Sequence, residues 1–116
     1  MRIAPLRERV TFYQRQITMD DIGNESSSFQ ELFSRWCSVR LLSESESDGV
    51  SSIKTDKRLR FTLRYDPVIL SLDTRQTRLI YQNQSYNITV IDGVTYPREI
   101  ILVDVSKEDS YDNHPN

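Results

Sequence analysis

The stretch RLRFTLRYDP, residues 58–67, constrains the fold more than any other feature, because its apolar and polar residues alternate with a period of two. Leu59, Phe61, Leu63 and Tyr65 fall on one side of an extended backbone, and Arg58, Arg60, Thr62 and Arg64 on the other. A helix would spread both sets around its axis, whereas a strand sends one set into a core and leaves the other wet. The same period recurs elsewhere. Residues 9–13 place β-branched and aromatic side chains at alternate positions, and residues 34–42 set Cys37, Val39 and Leu41 against Trp36, Ser38 and Arg40. Residues 78–82 and 86–91 flank Asn83-Gln84-Ser85 as a hairpin, with Asn83 suited to the positive φ of a tight turn. Asp92-Gly93 breaks the chain, and residues 99–105 form the last strand. Six strands with no long 3.6-residue periodicity predict an all-β barrel or sandwich.

Four segments do not read as strand. Residues 18–28 (TMDDIGNESSS) are polar with a turn-forming glycine, a loop extending from a long hairpin. Residues 43–57 (SESESDGVSSIKTDK) are serine-rich and acidic at their start, and structureless loops of such length are usually functional or mobile. In residues 66–77, Pro67 ends the third strand and Val68-Ile69-Leu70 suits one helical turn. Residues 106–116 form a polar, frayed tail, leaving residues 1–105 as one domain. At 116 residues the chain can bury roughly two-thirds of the surface that its unfolded form exposes.

Charge and composition exclude several classes. A net charge of −2 gives no bulk electrostatic drive toward nucleic acid or membranes, so any basic site must come from local clustering. The single cysteine, Cys37, precludes an intrachain disulfide, and no apolar run approaches bilayer length or forms the core of a signal peptide. These features predict a soluble protein kept in a reducing compartment. Chemistry is equally sparse. His114, the sole histidine, lies in the tail, where it lacks the fixed geometry that a general base needs. Cys37, on the core face of its strand, reads as a small hydrophobe rather than a reactive thiol. Glu44, Glu46 and Asp48 alternate with serines, too few and too loosely spaced for a calcium loop, and read first as a solvated acidic segment. No catalytic, metal or cofactor site is expected.

The three arginines at 58, 60 and 64 admit three readings: a nucleic-acid grip, an interface to acidic neighbours, or a solubilising face. Single-strand binders join a basic groove to outward aromatic platforms. Alternation puts Tyr65 with Phe61, and Tyr86 with Ile88 and Val90, on the core side, so few platforms are left. Arginine's planar fork favours carboxylate-bearing interfaces.

In order along the chain stand LRERVTFYQR, the Asp21-Ile22-Gly23 loop, Phe29, RWCSVRLL, a long loop, RFTLRY, RLIYQNQSYNI and PREIILV. Leu6, Arg7, Arg9, Val10 and Thr11, then Trp36 with Val39, Arg64-Tyr65, and Tyr86 with Ile88 carry a spaced pattern that resembles the head-tail joining (head-tail adaptor, or head closure) proteins of tailed bacteriophages and gene transfer agents. The resemblance covers residues 6–105. It implies a small β-barrel with long projecting loops, assembled as a ring under the portal complex of the virion. Such a ring closes the DNA exit channel and offers a surface to the tail, with no substrate, cofactor, small-molecule ligand or membrane. The implied partners are a portal-side adaptor, tail-terminator or tail proteins, copies of the same chain, and packaged DNA passing through. Subunits would be monomeric in the host cytoplasm until they meet the particle. Within that frame, loop 43–57 is expected to order on assembly, and Glu44, Glu46 and Asp48 to line a negative constriction. Arg58, Arg60 and Arg64 are expected to meet carboxylates of a neighbour. The alternatives are a single-stranded nucleic-acid-binding barrel and a tail terminator.

Overall fold

The computed structural model of the protein describes residues 5–46 and 55–107. Six strands and one short helix follow in order: β1 (Glu8–Met19), β2 (Glu25–Glu46), β3 (Thr55–Arg64), α1 (Pro67–Leu70), β4 (Thr77–Tyr81), β5 (Gln84–Asp92) and β6 (Ile100–Lys107). They form one antiparallel sheet, β1-β2-β3-β6-β5-β4, which closes as a barrel when β4 pairs back onto β1, Thr11 opposite Ile80 and Gln14 opposite Thr77. The all-β class read from alternation is observed, and of the barrel and sandwich that alternation left open the chain adopts the barrel that the resemblance implies.

Inward-facing residues fill the barrel. Val10, Phe12, Cys37, Phe61, Leu79, Ile101 and Val103 are fully buried, and Leu59, Leu63, Tyr86, Ile88 and Val105 nearly so. Phe12 packs against Phe33 with ring centroids 5.1 Å apart, and Phe61 meets Tyr81 edge-on at 5.2 Å. Each such side chain contributes about 1.5–3 kcal/mol by leaving water. At the rim, the Tyr81 hydroxyl donates to Glu8 Oε1 at 3.0 Å. α1 closes one flank: Asp66 caps it by accepting from the Val68 N–H, Pro67 occupies its first turn, and Ile69 is fully buried.

Alternation fails at three places, each for a local reason. A bulge between Ile88 and Val90 inserts Thr89, so Val90 turns outward opposite Asp104 while Ile91 takes the inward place. Leu41 is expected in the core but is exposed, because β1 pairs with β2 only as far as Glu8 opposite Cys37 and leaves the rest of β2 uncovered on that side. Tyr65 also departs from the core face; β3 ends at Arg64, and the bend into Pro67 frees the ring from the strand's period. The β4–β5 turn is tighter than expected. It is the two-residue pair Gln82-Asn83, both at positive φ (52° and 63°), rather than Asn83-Gln84-Ser85.

Strand boundaries move furthest in the long connections. β1 and β2 stay paired out to Met19 and Glu25, so the expected loop at 18–28 shrinks to the turn at residues 20–24. Within 43–57, Ser43 to Glu46 of β2 pairs with Thr55 to Arg58 of β3, and residues 47–54 lie outside the described residues. Ser106 and Lys107 belong to β6 rather than the tail. The radius of gyration of 16.2 Å exceeds the roughly 13 Å of a compact domain this size, because paired strands run beyond the barrel. No helix among the described residues is long and apolar enough to cross a membrane.

Candidate assembly surfaces

The arginine face of β3 does not act as a unit. Arg60 lies directly across from Asp104 of β6 and donates to both its carboxylate oxygens, at 2.7 and 3.0 Å. This bidentate bond, with Asp104 and Asp92 nearby, holds the guanidinium's pKa above its usual value. Asp92 is itself occupied: Thr95 donates from its hydroxyl and its N–H, and Val94 from its N–H, lowering the Asp92 pKa. Arg60 is therefore tied into its own barrel rather than displayed. Arg58 and Arg64 are exposed, Arg64 at the strand's end and Arg58 two residues before Arg60.

At the Arg64 end, Leu6, Arg35, Trp36, Leu63, Arg64, Tyr65 and Asp66 line a groove of about 410 Å³. Trp36 is 53% exposed and Tyr65 37%, so two aromatic rings face solvent here. The guanidinium of Arg9 stands 5.0 Å from the centre of the Trp36 ring, across the β1–β2 pair. Arg35 is fixed on three sides: its Nε donates to Asp66 Oδ2 at 2.9 Å, its Nη1 to the Ser34 carbonyl at 2.8 Å, and its Cζ stands 4.2 Å from the centre of the Phe33 ring. Sequence reasoning singled out Arg64 but missed this groove, since assigning Tyr65 to the core removed one of its walls.

The second surface is the ribbon of β1 and β2 beyond the barrel. A bulge after Phe12, where Leu32 has no cross-strand partner, precedes its departure from the wall, since β1 stays paired with β4 as far as Gln14 opposite Thr77. Its two faces differ. Gln14, Gln16 and Thr18 stand opposite Gln30, Ser28 and Ser26, with the Gln16 amide bonded to Gln30 and the Thr18 and Ser26 hydroxyls 2.8 Å apart. The other face carries Ile17, Met19 and Phe29, which are 56%, 64% and 45% exposed. At the tip, the Asp20 carboxylate accepts from the N–H groups of Ile22 (3.0 Å) and Asn24 (2.8 Å), and Gly23 takes a φ of 90°. That turn presents Ile22 at 81% exposure. The signal was in the sequence, as Ile17 and Met19 alternate with Gln16 and Thr18.

Two of the acidic candidates fall in the second extension. Glu44 and Glu46 lie in the backbone of β2, paired with Lys57 and Thr55 of β3, and Asp48 lies outside the described residues. Among the described residues, no group of three or more His, Cys, Asp and Glu side chains could hold a metal. Cys37 is sealed in the core, and burial together with the nearby Glu8 carboxylate pushes its thiol up to about 12.

Comparison with known proteins gives a concordant picture. Residues 1–108 match the model of the phage head completion protein family. Among solved structures, a chain of the virion of a native gene transfer agent particle superposes with a TM-score of 0.71 at 15% identity, covering 92% of this chain and 98% of that one. A search of curated proteins finds no match. At that identity the superposition speaks for the fold, while the family match spans nearly the whole length: the chain belongs to the phage head completion protein family.

Proposed function

We propose that this protein is a structural, non-enzymatic component of the head–tail connector of a phage-like particle. It forms a ring below the portal complex, closes the DNA exit channel after packaging and offers the surface on which the tail docks. The family match over residues 1–108 carries this reading. A small barrel with two paired extensions, whose described surface exposes aromatic, aliphatic and ionic side chains, supports it. Its neighbours are a portal-side adaptor above and tail-terminator or tail proteins below, with copies of itself beside it and DNA passing through. Free subunits are monomeric in the host cytoplasm and associate on the particle.

Electron microscopy of particles assembled without the protein tests this directly. Separate finished tails, with heads that filled and then lost their DNA, are the expected result; normal tailed particles reject the reading. Within it, Glu44, Glu46 and Asp48 repeat around the ring as a negative constriction that repels the DNA backbone. Replacing all three by lysine adds phosphate contacts and slows ejection, and unchanged ejection kinetics remove this role.

One observation favours a second reading. Trp36 and Tyr65 are exposed beside Arg9, Arg35 and Arg64, an aromatic and basic surface of the kind that single-strand binders use. Binding of a single-stranded oligonucleotide by the isolated protein, weakening steeply as salt rises, would support it. The net charge of −2 and the carboxylate of Asp66 inside the groove weigh against it.

A further inference from the structure

We infer that the tip of the β1–β2 ribbon is the subunit-joining element, and that it seats in the groove formed by Leu6, Trp36, Arg64 and Tyr65 of a second copy of this chain. The inference deepens the ring reading above and rests on it only for closure of the contact into a ring.

Three observations identify the occupant. Charge is the first. Between Gln16 and Ser34 the chain carries Asp20, Asp21, Glu25 and Glu31 and no lysine or arginine. The groove carries Arg35 and Arg64 against the single carboxylate of Asp66, with Arg9 alongside on Trp36. An acidic tip and a basic groove on one molecule are complementary between copies and mutually repulsive like-to-like, which selects a head-to-tail contact.

Shape is the second. The tip is a small aliphatic knob, Ile22, with Met19 also exposed on the ribbon below it, and the Asp20 hydrogen bonds fix the turn, so little conformational freedom is lost on docking. The groove is an aromatic-walled recess that no described residue of its own chain fills.

Reach is the third. β2 runs from Glu25 beside the tip to Arg35 in the groove, ten extended residues, or roughly 33 Å at about 3.3 Å per residue. A paired ribbon cannot fold back over that span, so a tip cannot enter its own groove. Tip and groove are different surfaces, so the contact is heterologous and propagates from copy to copy, closing into a ring where the rotation permits.

The experiment uses the full-length protein on particles. Ile22→Cys and Tyr65→Cys are introduced together; both positions are exposed, and Cys37 is sealed in the core. A disulfide needs Cα atoms about 4.4–6.8 Å apart, so the roughly 33 Å within one copy prevents an internal bond. Mild oxidation should give a ladder of multimers on a non-reducing gel, with neither single variant producing more than dimers. A second measurement is independent of cysteine chemistry. Asp21→Arg and Arg64→Asp should each abolish self-association on particles, and the two combined in one chain should restore it.

The contact is overturned if the double-cysteine protein enters tailed particles without forming a ladder, and equally if the combined charge reversal fails to restore what each single reversal lost. Protection of the thiol introduced at position 65 by an oligonucleotide, with no ladder, also overturns it, in favour of nucleic acid in the groove. Failure of the connector reading looks different: the unaltered protein would then be absent from particles altogether, whatever the cross-link.

Discussion

At the scale of the residue, identity and burial together decide what each side chain can do. Cys37 is chemically ordinary in sequence, but its place inside the barrel beside Glu8 raises its pKa from 9.0 to about 12. Tyr81, desolvated and donating to Glu8, rises from 10.0 to about 12. Both groups are neutral when protonated, and folding holds the proton on. Their contribution is therefore complete below about pH 9 and is lost as pH climbs from there through about 12. Denaturant melts across that range should show stability falling on the alkaline side, with Cys37→Ala removing the early part of the fall. At about pH 8, below the ordinary thiol range, a thiol reagent should label Cys37 only when the protein unfolds. Packing gives a second contrast. Phe61→Ala should cost about 3–5 kcal/mol, whereas Ile17→Ala on the exposed ribbon should change stability by less than about 0.5 kcal/mol, both read by chemical denaturation.

At the scale of the element, turn chemistry and bulges set where strands point. The β4–β5 turn holds Gln82 and Asn83 at positive φ, and glutamine has none of the local hydrogen bonding that lets asparagine tolerate that region. Gln82→Asn combined with Asn83→Gly supplies the pair that such a two-residue turn prefers. It should stabilise the protein by about 1 kcal/mol, seen as a shift in denaturation midpoint at constant slope. The bulge at Thr89 shows the converse. One extra residue reverses the facing of everything after it, so Val90 is exposed while Ile91 packs inward.

At the scale of the whole molecule, the barrel and the ribbon divide the work. The core lies within the closed sheet, and the ribbon from Gln14 to Gln30 is exposed along its length. Replacing residues 16–28 by an Asn-Gly turn between the paired Arg15 and Phe29 should leave the melting temperature within a few degrees of the full chain and eliminate self-association on particles. A collapse in melting temperature would instead make the ribbon part of the folding unit. The Arg60–Asp104 pair belongs to this scale as well: it ties β3 to β6 across the barrel wall and withdraws from the surface the central arginine of an apparent basic face.

Strand content was legible in the sequence, while barrel and sandwich both remained open to it. A period of two, with Leu59, Phe61 and Leu63 as its clearest case, is a local property of the chain, and a strand that obeys it can bury only one face. The helical turn at Val68, the positive φ at Asn83 and the inert thiol at Cys37 were legible on the same local grounds. Other features depend on which strands become neighbours, which is fixed when the chain folds. Arg60 found Asp104 44 residues away; Leu41 came out of the core because β1 stops beside it, and Tyr65 because its own strand ends at Arg64. Trp36, Arg64 and Leu6 met in one groove, and residues 18–28 proved to be mostly paired ribbon. Pairing energy and charge complementarity act between residues distant in sequence, so alternation within a strand carries no record of them.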